Sequence, residues 1–129
     1  MITSIHALIY SDDPPATRAF LRDVLGWSNV EDPDSEPGWL IFKSGASEVG
    51  VHPTAGMWEG KRYDEPRHHS ISLMCDDAEA TVADLKSRGA EFDGEIADYG
   101  FGFGIMLQVP GADSILLYQP KHALAYNMS

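Results

Sequence analysis

A ten-residue motif occurs twice in the chain, 64 residues apart. DDPPATRAFL starts at Asp12 and DDAEATVADL starts at Asp76, and six of the ten positions are identical. A solenoid needs about three or more stacked units, so two copies do not indicate one. The repeat therefore predicts a duplicated supersecondary unit, with two similar modules building one domain.

Each copy of the motif carries the start and stop signals of an amphipathic helix. Asp13 and Asp77 are suited to cap helix N-termini, and the prolines that follow Asp13 are tolerated in a first turn. Apolar residues then recur at helical spacing as far as Gly26 in the first copy and Gly89 in the second. The pattern predicts helices over residues 14–25 and 78–88.

Alternating apolar segments on either side of the helices predict β-strands, separated by turn sequences such as DPDSEPG, SGAS and PGAD. The predicted strands are 3–10, 27–31, 39–44 and 47–52 in the first half, and 69–75, 91–97, 103–109 and 114–119 in the second. Each half is therefore expected to be a β-α-β-β-β module, and the fold class is α+β. We expect a single domain, 1–129, made of module 1 (1–53), a linker (54–67), module 2 (68–121) and a C-terminal tail (122–129).

The charge balance narrows the range of partners. The chain has 9 Lys and Arg against 20 Asp and Glu, a net charge of -11, so nucleic acid and anionic membranes are poor partners. It contains no secretory signal pattern and no apolar run near the roughly 20 residues of a membrane span, so we expect a cytoplasmic protein. The single cysteine, Cys75, rules out an internal disulfide and is expected to be a small buried hydrophobe.

Three segments together resemble the vicinal oxygen chelate superfamily. They are IHALIYSDDPPATRAFLRDVLGW, HHSISLMCDDAEATVADLKSRGAEF and VPGADSILLYQP, which cover about half of the chain in the right order. This superfamily includes glyoxalase I, bleomycin-resistance proteins, extradiol dioxygenases, fosfomycin-resistance enzymes and methylmalonyl-CoA epimerase. The resemblance implies that curled mixed sheets form a cup with the helices outside, that a small molecule binds inside, and that the protein is a homodimer.

Strand alternation sorts the residues that would face such a cup, because successive side chains of a strand point to opposite faces. The outward set, expected to pack on the helices, comprises Ile5, Ala7, Ile9, Val49, Val51, Ile71, Leu73, Cys75, Ile115 and Leu117. The inward set gives the candidate ligand-binding residues His6, Tyr10, Glu48, His52, Ser70, Ser72, Leu116 and Tyr118.

Metal-using members of the superfamily place one ligand on each of four strands, commonly His, Glu or Gln, His, and Glu. Carried over to this chain, the four positions fall on His6, Gly50, Ser70 and Leu116, of which one is an ordinary metal ligand. His69 lies one residue away from the third position, so we expect its ring on the helix side unless a bulge shifts the register. We therefore predict no cofactor and no standard metal site.

The sequence GFGFG, starting at Gly100, is not a phosphate-binding loop, because a strand-like segment follows it in place of a Lys-Ser/Thr pair and a helix. Its aromatic residues, Phe101 and Phe103, are further candidates for the floor or lid of the cup. The linker aromatics Trp58 and Tyr63 could serve the same purpose or belong to a dimer contact.

Three functional hypotheses remain open at this point. The first is a protein that binds a small organic molecule in the cup. The alternative is a metal-dependent glyoxalase-type lyase or isomerase, or an extradiol-type dioxygenase, in which His6, a register-shifted His69 and Glu48 or His52 hold Ni, Zn, Mn or Fe. The third is a structural module, whose cup would be filled by its own side chains.

Overall fold

A computed structural model of the protein describes residues 1, 4–35 and 37–128. Thr3, Glu36 and Ser129 belong to segments interpreted above and lie outside the described residues. The elements are helix α1 (Pro14–Ala19, continued by a π-helical turn at Phe20–Val24), β1 (Asn29–Glu31), β2 (Leu40–Phe42), β3 (Ala55–Trp58), β4 (Lys61–Asp64), β5 (Ser72–Met74), α2 (Ala78–Ser87), β6 (Phe92–Asp98), β7 (Gly102–Leu107), β8 (Ile115–Pro120) and a 3-10 turn (Ala125–Asn127).

The two predicted helices are confirmed, together with their caps. The Asp13 carboxylate accepts a hydrogen bond from the Ala16 backbone N–H at 3.2 Å, and Asp77 does the same for Ala80 at 3.0 Å. Gly26 follows the first helix with a φ of 72°. Within the described residues, none of the helices combines the length and hydrophobicity that a membrane span requires.

The repeated helices are joined at equivalent positions. The Arg88 guanidinium at the end of α2 donates a hydrogen bond to the backbone oxygen of Val24, 64 residues earlier, at 3.0 Å. Arg88 also pairs with Asp84 at 2.6 Å on its own helix. The Arg88 guanidinium therefore satisfies one terminal carbonyl of the first helix. A cation is favourable there because the C-terminal end of a helix carries a partial negative charge.

The second half of the chain forms the main sheet. Its four strands have the order β5-β8-β7-β6, with β5 and β8 parallel and the other pairs antiparallel. With α2 between β5 and β6, this half is the β-α-β-β-β unit that the sequence predicts. The mixed α+β fold class is confirmed.

One core joins both helices to this sheet. Its buried residues are Phe20, Leu21, Val82, Leu85, Ala90, Ile105, Leu107, Val109, Ile115 and Leu117. On β8, Ile115 and Leu117 are buried while Leu116 and Tyr118 are only partly buried, as alternation requires. Ile71, Leu73 and Cys75 also pack against the core, as expected of the outward set.

The first half departs from the prediction. Residues 4–10 and 47–52, expected to be strands, pair with no other strand among the described residues. Val49 and Val51, predicted to pack on the helix, are 73% and 96% exposed, whereas Ile9 does pack against the core. Alternation of side chains fixes two faces only where a sheet exists, and in this half β1 and β2 pair with each other alone.

The segment expected to be an irregular linker contains a hairpin. Strands β3 and β4 pair antiparallel through a two-residue turn, Glu59 and Gly60, both with positive φ (49° and 76°). Such a turn matches the twist of the strands that it joins. The Tyr63 ring lies across Gly56 on the opposite strand, where a Cβ would come within 2.7 Å of its hydroxyl.

A buried threonine connects helix α1 to the turn before β8. The Thr17 hydroxyl contacts the backbone oxygen of Pro110 and lies 2.7 Å from the Ser11 hydroxyl. Beside it, the Asp12 N–H donates to the Gly111 carbonyl oxygen at 2.7 Å. This junction holds the first repeat against the second.

We predict that Gly111→Ala destabilises the protein more than the matched change Gly38→Ala. Both glycines have positive φ, 81° and 83°, so the backbone strain is shared. A Cβ at Gly111 would lie 2.5 Å from the Ser11 hydroxyl and 3.0 Å from the Asp13 backbone, while Gly38 has open space. Overpacking of this kind costs about 1–3 kcal/mol. Urea denaturation of both variants measures the difference, and equal losses would contradict a tight junction.

Candidate functional site

An open cleft of about 2680 Å³ lies between the unpaired segments of the first half and the second module. On one side it is bordered by residues 4–11, 39–42 and 44–50. On the other it is bordered by residues 65–75 and by the loop that carries Tyr99 and Phe101. The cleft is therefore not filled by side chains of the protein itself.

Seven of the ten predicted ligand-binding residues line this cleft: His6, Tyr10, Glu48, His52, Ser70, Ser72 and Phe101. Leu116, Tyr118 and Phe103 are not among its lining residues, whereas Ile115 and Leu117, predicted to face away from the cup, are. Leu116 instead covers Gly104 on the neighbouring strand, where a Cβ would lie 3.0 Å from its Cδ1. The Phe103 ring lies under the Lys121 ammonium, 4.3 Å from ring centre to nitrogen.

His69 also lines the cleft, as does every residue from 65 to 75. Strand β5 begins only at Ser72, so His69 precedes the sheet and the two-residue alternation does not constrain it. No bulge is needed to explain its position.

Two of the four candidate metal ligands, His52 and Glu48, make hydrogen bonds to backbone groups. His52 Nδ1 donates to the Pro53 carbonyl oxygen at 2.6 Å, and its ring lies 5.6 Å from that of Tyr63. Glu48 accepts from the Ala125 backbone N–H at 2.8 Å. In residues 1, 4–35 and 37–128, no three His, Cys, Asp or Glu side chains are grouped closely enough to hold a metal ion.

The four positions that the resemblance implies also lack the donors for a divalent ion. Gly50 has no side chain and Leu116 has an apolar one, so neither can supply the nitrogen or carboxylate that such ions require. The residues present do not fit the usual four-ligand metal of the superfamily.

Aromatic rings form a continuous row that starts in the cleft. Tyr99 and Phe101 line the cleft and stack on each other, with ring centres 5.8 Å apart. Phe101 meets the Tyr118 ring edge to face at 5.2 Å, and Tyr118 lies 5.9 Å from the His122 ring. Tyr118 thus supports the cleft wall from behind, which explains why it is close to the site without lining it.

A small polar cluster ends this row. His122 Nδ1 lies 2.8 Å from the Ala123 carbonyl oxygen, which can only accept, so Nδ1 carries a proton. The other ring nitrogen is 3.0 Å from the Tyr118 hydroxyl and 3.8 Å from the Glu48 carboxylate. Partial burial, and secondarily the negative charge of Glu48, raises the pKa of Tyr118, so this phenol stays protonated as a hydrogen-bond donor.

Cys75 borders the cleft but lacks the surroundings of a nucleophile. Burial raises the pKa of its thiol, and the charges of Asp76 and Asp77 raise it further. Both effects disfavour the thiolate that a catalytic or metal-binding cysteine needs. The residue therefore acts as a small packing side chain against the core.

Several lining residues were missed by the sequence analysis. They are Trp27, Trp39, Phe42, Met57, Tyr99 and Tyr126. The hairpin that carries Met57 had a readable signal, since Glu59-Gly60 is a two-residue turn between β-favouring side chains. Tyr126 had none, because the tail has no periodic pattern and its position depends on a contact with Glu48.

Comparison with known families gives one match over most of the chain. Residues 3–115 match the model of the Glyoxalase/Bleomycin resistance protein/Dioxygenase superfamily. A comparison with curated protein sequences gave no match.

Several solved structures have a similar fold. TnmS3, an antibiotic binding protein from Streptomyces sp. CB03234, is 25% identical with a TM-score of 0.62, covering 94% of this chain and 99% of that one. A glyoxalase/bleomycin resistance protein from the same organism is 24% identical, with a TM-score of 0.55 and coverage of 86% and 95%. Lactoylglutathione lyase from Agrobacterium tumefaciens is 19% identical, with a TM-score of 0.56 and coverage of 91% and 92%.

Proposed function

Because the chain belongs to the Glyoxalase/Bleomycin resistance protein/Dioxygenase superfamily, we propose that it binds a small organic molecule in the cleft without the usual four-ligand metal. The observation that carries this proposal is the composition of the cleft wall. The aromatic side chains that line it are Tyr10, Phe20, Trp27, Trp39, Phe42, Trp58, Tyr63, Tyr99, Phe101 and Tyr126. Such a wall suits a largely apolar ligand that carries flat rings.

Two further observations support this ligand class. Arg18 and Arg67 supply the Arg and Lys groups that line the cleft. Because the net charge of the whole chain is -11, its electrostatic field disfavours strongly anionic ligands. Arg18 also lies over the Trp39 ring, 5.1 Å from its centre. TnmS3, whose fold this chain shares at 25% identity, is an antibiotic binding protein, which favours a binding role over catalysis.

The metal-dependent lyase, isomerase or dioxygenase is the rival, and the positions of its proposed ligands argue against it. Glu48 already accepts a hydrogen bond from the tail, and no three His, Cys, Asp or Glu side chains of the described residues are grouped closely enough to hold an ion, so at most two of the candidates could meet at one ion. Two imidazoles alone leave most positions of a divalent ion to water, which gives weak binding.

We predict that Phe101→Ala weakens ligand binding while Phe103→Ala does not. The two rings are similarly exposed, 44% and 37%, but Phe101 alone of the pair borders the cleft. Loss of one aromatic contact corresponds to a Kd about fivefold higher. Fluorescence titration with the neutral aromatic dye Nile red measures the Kd of each variant, and equal effects would contradict the assignment.

In thermal melts, aromatic compounds should raise the melting temperature of the wild type more than aliphatic compounds of the same size.

Metal analysis tests the rival directly. Protein purified without an affinity tag should retain no stoichiometric ion and should take up none of Ni, Zn, Mn or ferrous iron at micromolar concentration. His6→Ala is the control variant. An ion held one to one by the wild type and lost in this variant would establish the metal-dependent alternative.

We also propose that the protein is a homodimer in which a second copy covers the unpaired segments of the first half. Ile5, Leu8, Val49 and Val51 are large apolar residues left exposed in residues 4–10 and 47–52. Backbone in these segments has no strand partner within the described chain, so its N–H and C=O groups are free to pair with another copy.

Val51→Asp should therefore shift the protein toward the monomer. A charge at this position would be buried against the second copy without a counterion, which is costly. Val30→Asp is the matched control, since Val30 is exposed in a strand that already has a partner. Light scattering after size-exclusion chromatography gives the mass of each variant. A wild type that runs as a monomer, or a Val51→Asp variant that stays dimeric, would contradict the proposal.

A further inference from the structure

Residues 121–128 fold back over one end of the cleft, and we call them the strap. Their path is fixed from the start, because the Lys121 N–H donates to the Phe101 carbonyl oxygen at 2.8 Å. The Lys121 ammonium also pairs with Asp98 at 2.7 Å. Near its end the strap forms a 3-10 turn, in which the Met128 N–H donates to the Ala125 oxygen at 3.0 Å. Tyr126, in this turn, borders the cleft.

Glu48 holds the strap from the opposite half of the chain. One of its carboxylate oxygens accepts from the Ala125 N–H at 2.8 Å, and the other lies 3.8 Å from His122 Nε2. Its side chain is 16% exposed, far less than the neighbouring residues of its segment. A charge-assisted bond to a backbone N–H in such a partly desolvated place is among the stronger hydrogen bonds of a protein.

His122 adds a second attachment of the strap, this time to the sheet. Because its Nδ1 donates to Ala123, its Nε2 is free to accept the hydroxyl proton of Tyr118 at 3.0 Å. Tyr118 in turn supports Phe101 in the cleft wall. The strap therefore contacts both halves of the chain at the place where the aromatic row ends.

From these contacts we infer that Tyr126 is a ligand-contacting residue of the cleft and that Glu48 is its positioning residue. This inference rests on the proposed function and extends it to the tail. Glu48 lines the cleft, but its carboxylate is hydrogen-bonded to the strap. In this inference it affects the ligand only by positioning Tyr126 and makes no polar contact of its own with the ligand.

The attachment is tested without any ligand by hydrogen exchange of the C-terminal peptides. Glu48→Ala should speed exchange of the amides at Ala125 and Met128 by about tenfold or more, because the acceptor that orders the turn is gone. Glu95→Ala removes an exposed glutamate of β6 and should leave these amides unchanged. Unchanged exchange in Glu48→Ala would overturn the proposed attachment.

The positioning role is tested by a double-mutant cycle with Nile red. Tyr126→Ala and Glu48→Ala should each raise the Kd about fivefold. Because Glu48 acts through Tyr126, the double variant should bind no more weakly than Tyr126→Ala alone. Glu95→Ala is the control for loss of a charge. Effects that add in the double variant would overturn the inference, since they mean that Glu48 contacts the ligand independently.

The two measurements separate the inference from the function on which it rests. If neither Nile red nor any compound of the melting panel binds the wild type, the proposed function fails and the role of Tyr126 in binding fails with it. If wild type binds and Tyr126→Ala binds equally well, only the inference about Tyr126 is wrong.

Discussion

The structure depends on the burial of two helices against a single sheet. Phe20 and Leu21 from the first helix and Val82 and Leu85 from the second share one core with the sheet residues of the second half. Burial of one such side chain contributes about 1.5–3 kcal/mol. Because the sheets of the first half have only two strands each, helix α1 can bury its apolar face only by packing on the second module, and the Thr17 junction fixes how it does so.

This dependence explains the cleft. The first half gives its helix to the shared core, and its remaining segments run past the second module without joining its sheet. Space lined by rings from both halves is left between them. The same arrangement does not gather the histidines and the glutamate that a metal site would need, since no three such side chains are grouped in the part of the chain that the structure describes. Duplication thus provides the space, and the side chains decide that its wall is aromatic.

The fold class and the second module were predictable because their signals are local or periodic. Asp13, Asp77 and the glycines after each helix act within one turn of their position, and alternation on β8 placed Ile115 and Leu117 correctly in the core. Among the described residues, the strands expected at 3–10 and 47–52 have no partner strand, and an apolar pattern does not reveal whether such a neighbour is present.

The amino-acid sequence by itself determined the duplicated helices, the order of elements in the second half, the acidic charge and the residue types available to the cleft. Only the tertiary structure decided that Leu116 and Phe103 lie outside the cleft and that Tyr126 borders it. It alone paired Glu48 with Ala125, 77 residues apart. Local backbone preferences and periodicity act over a few residues, whereas contacts between distant segments form only when the whole core is assembled.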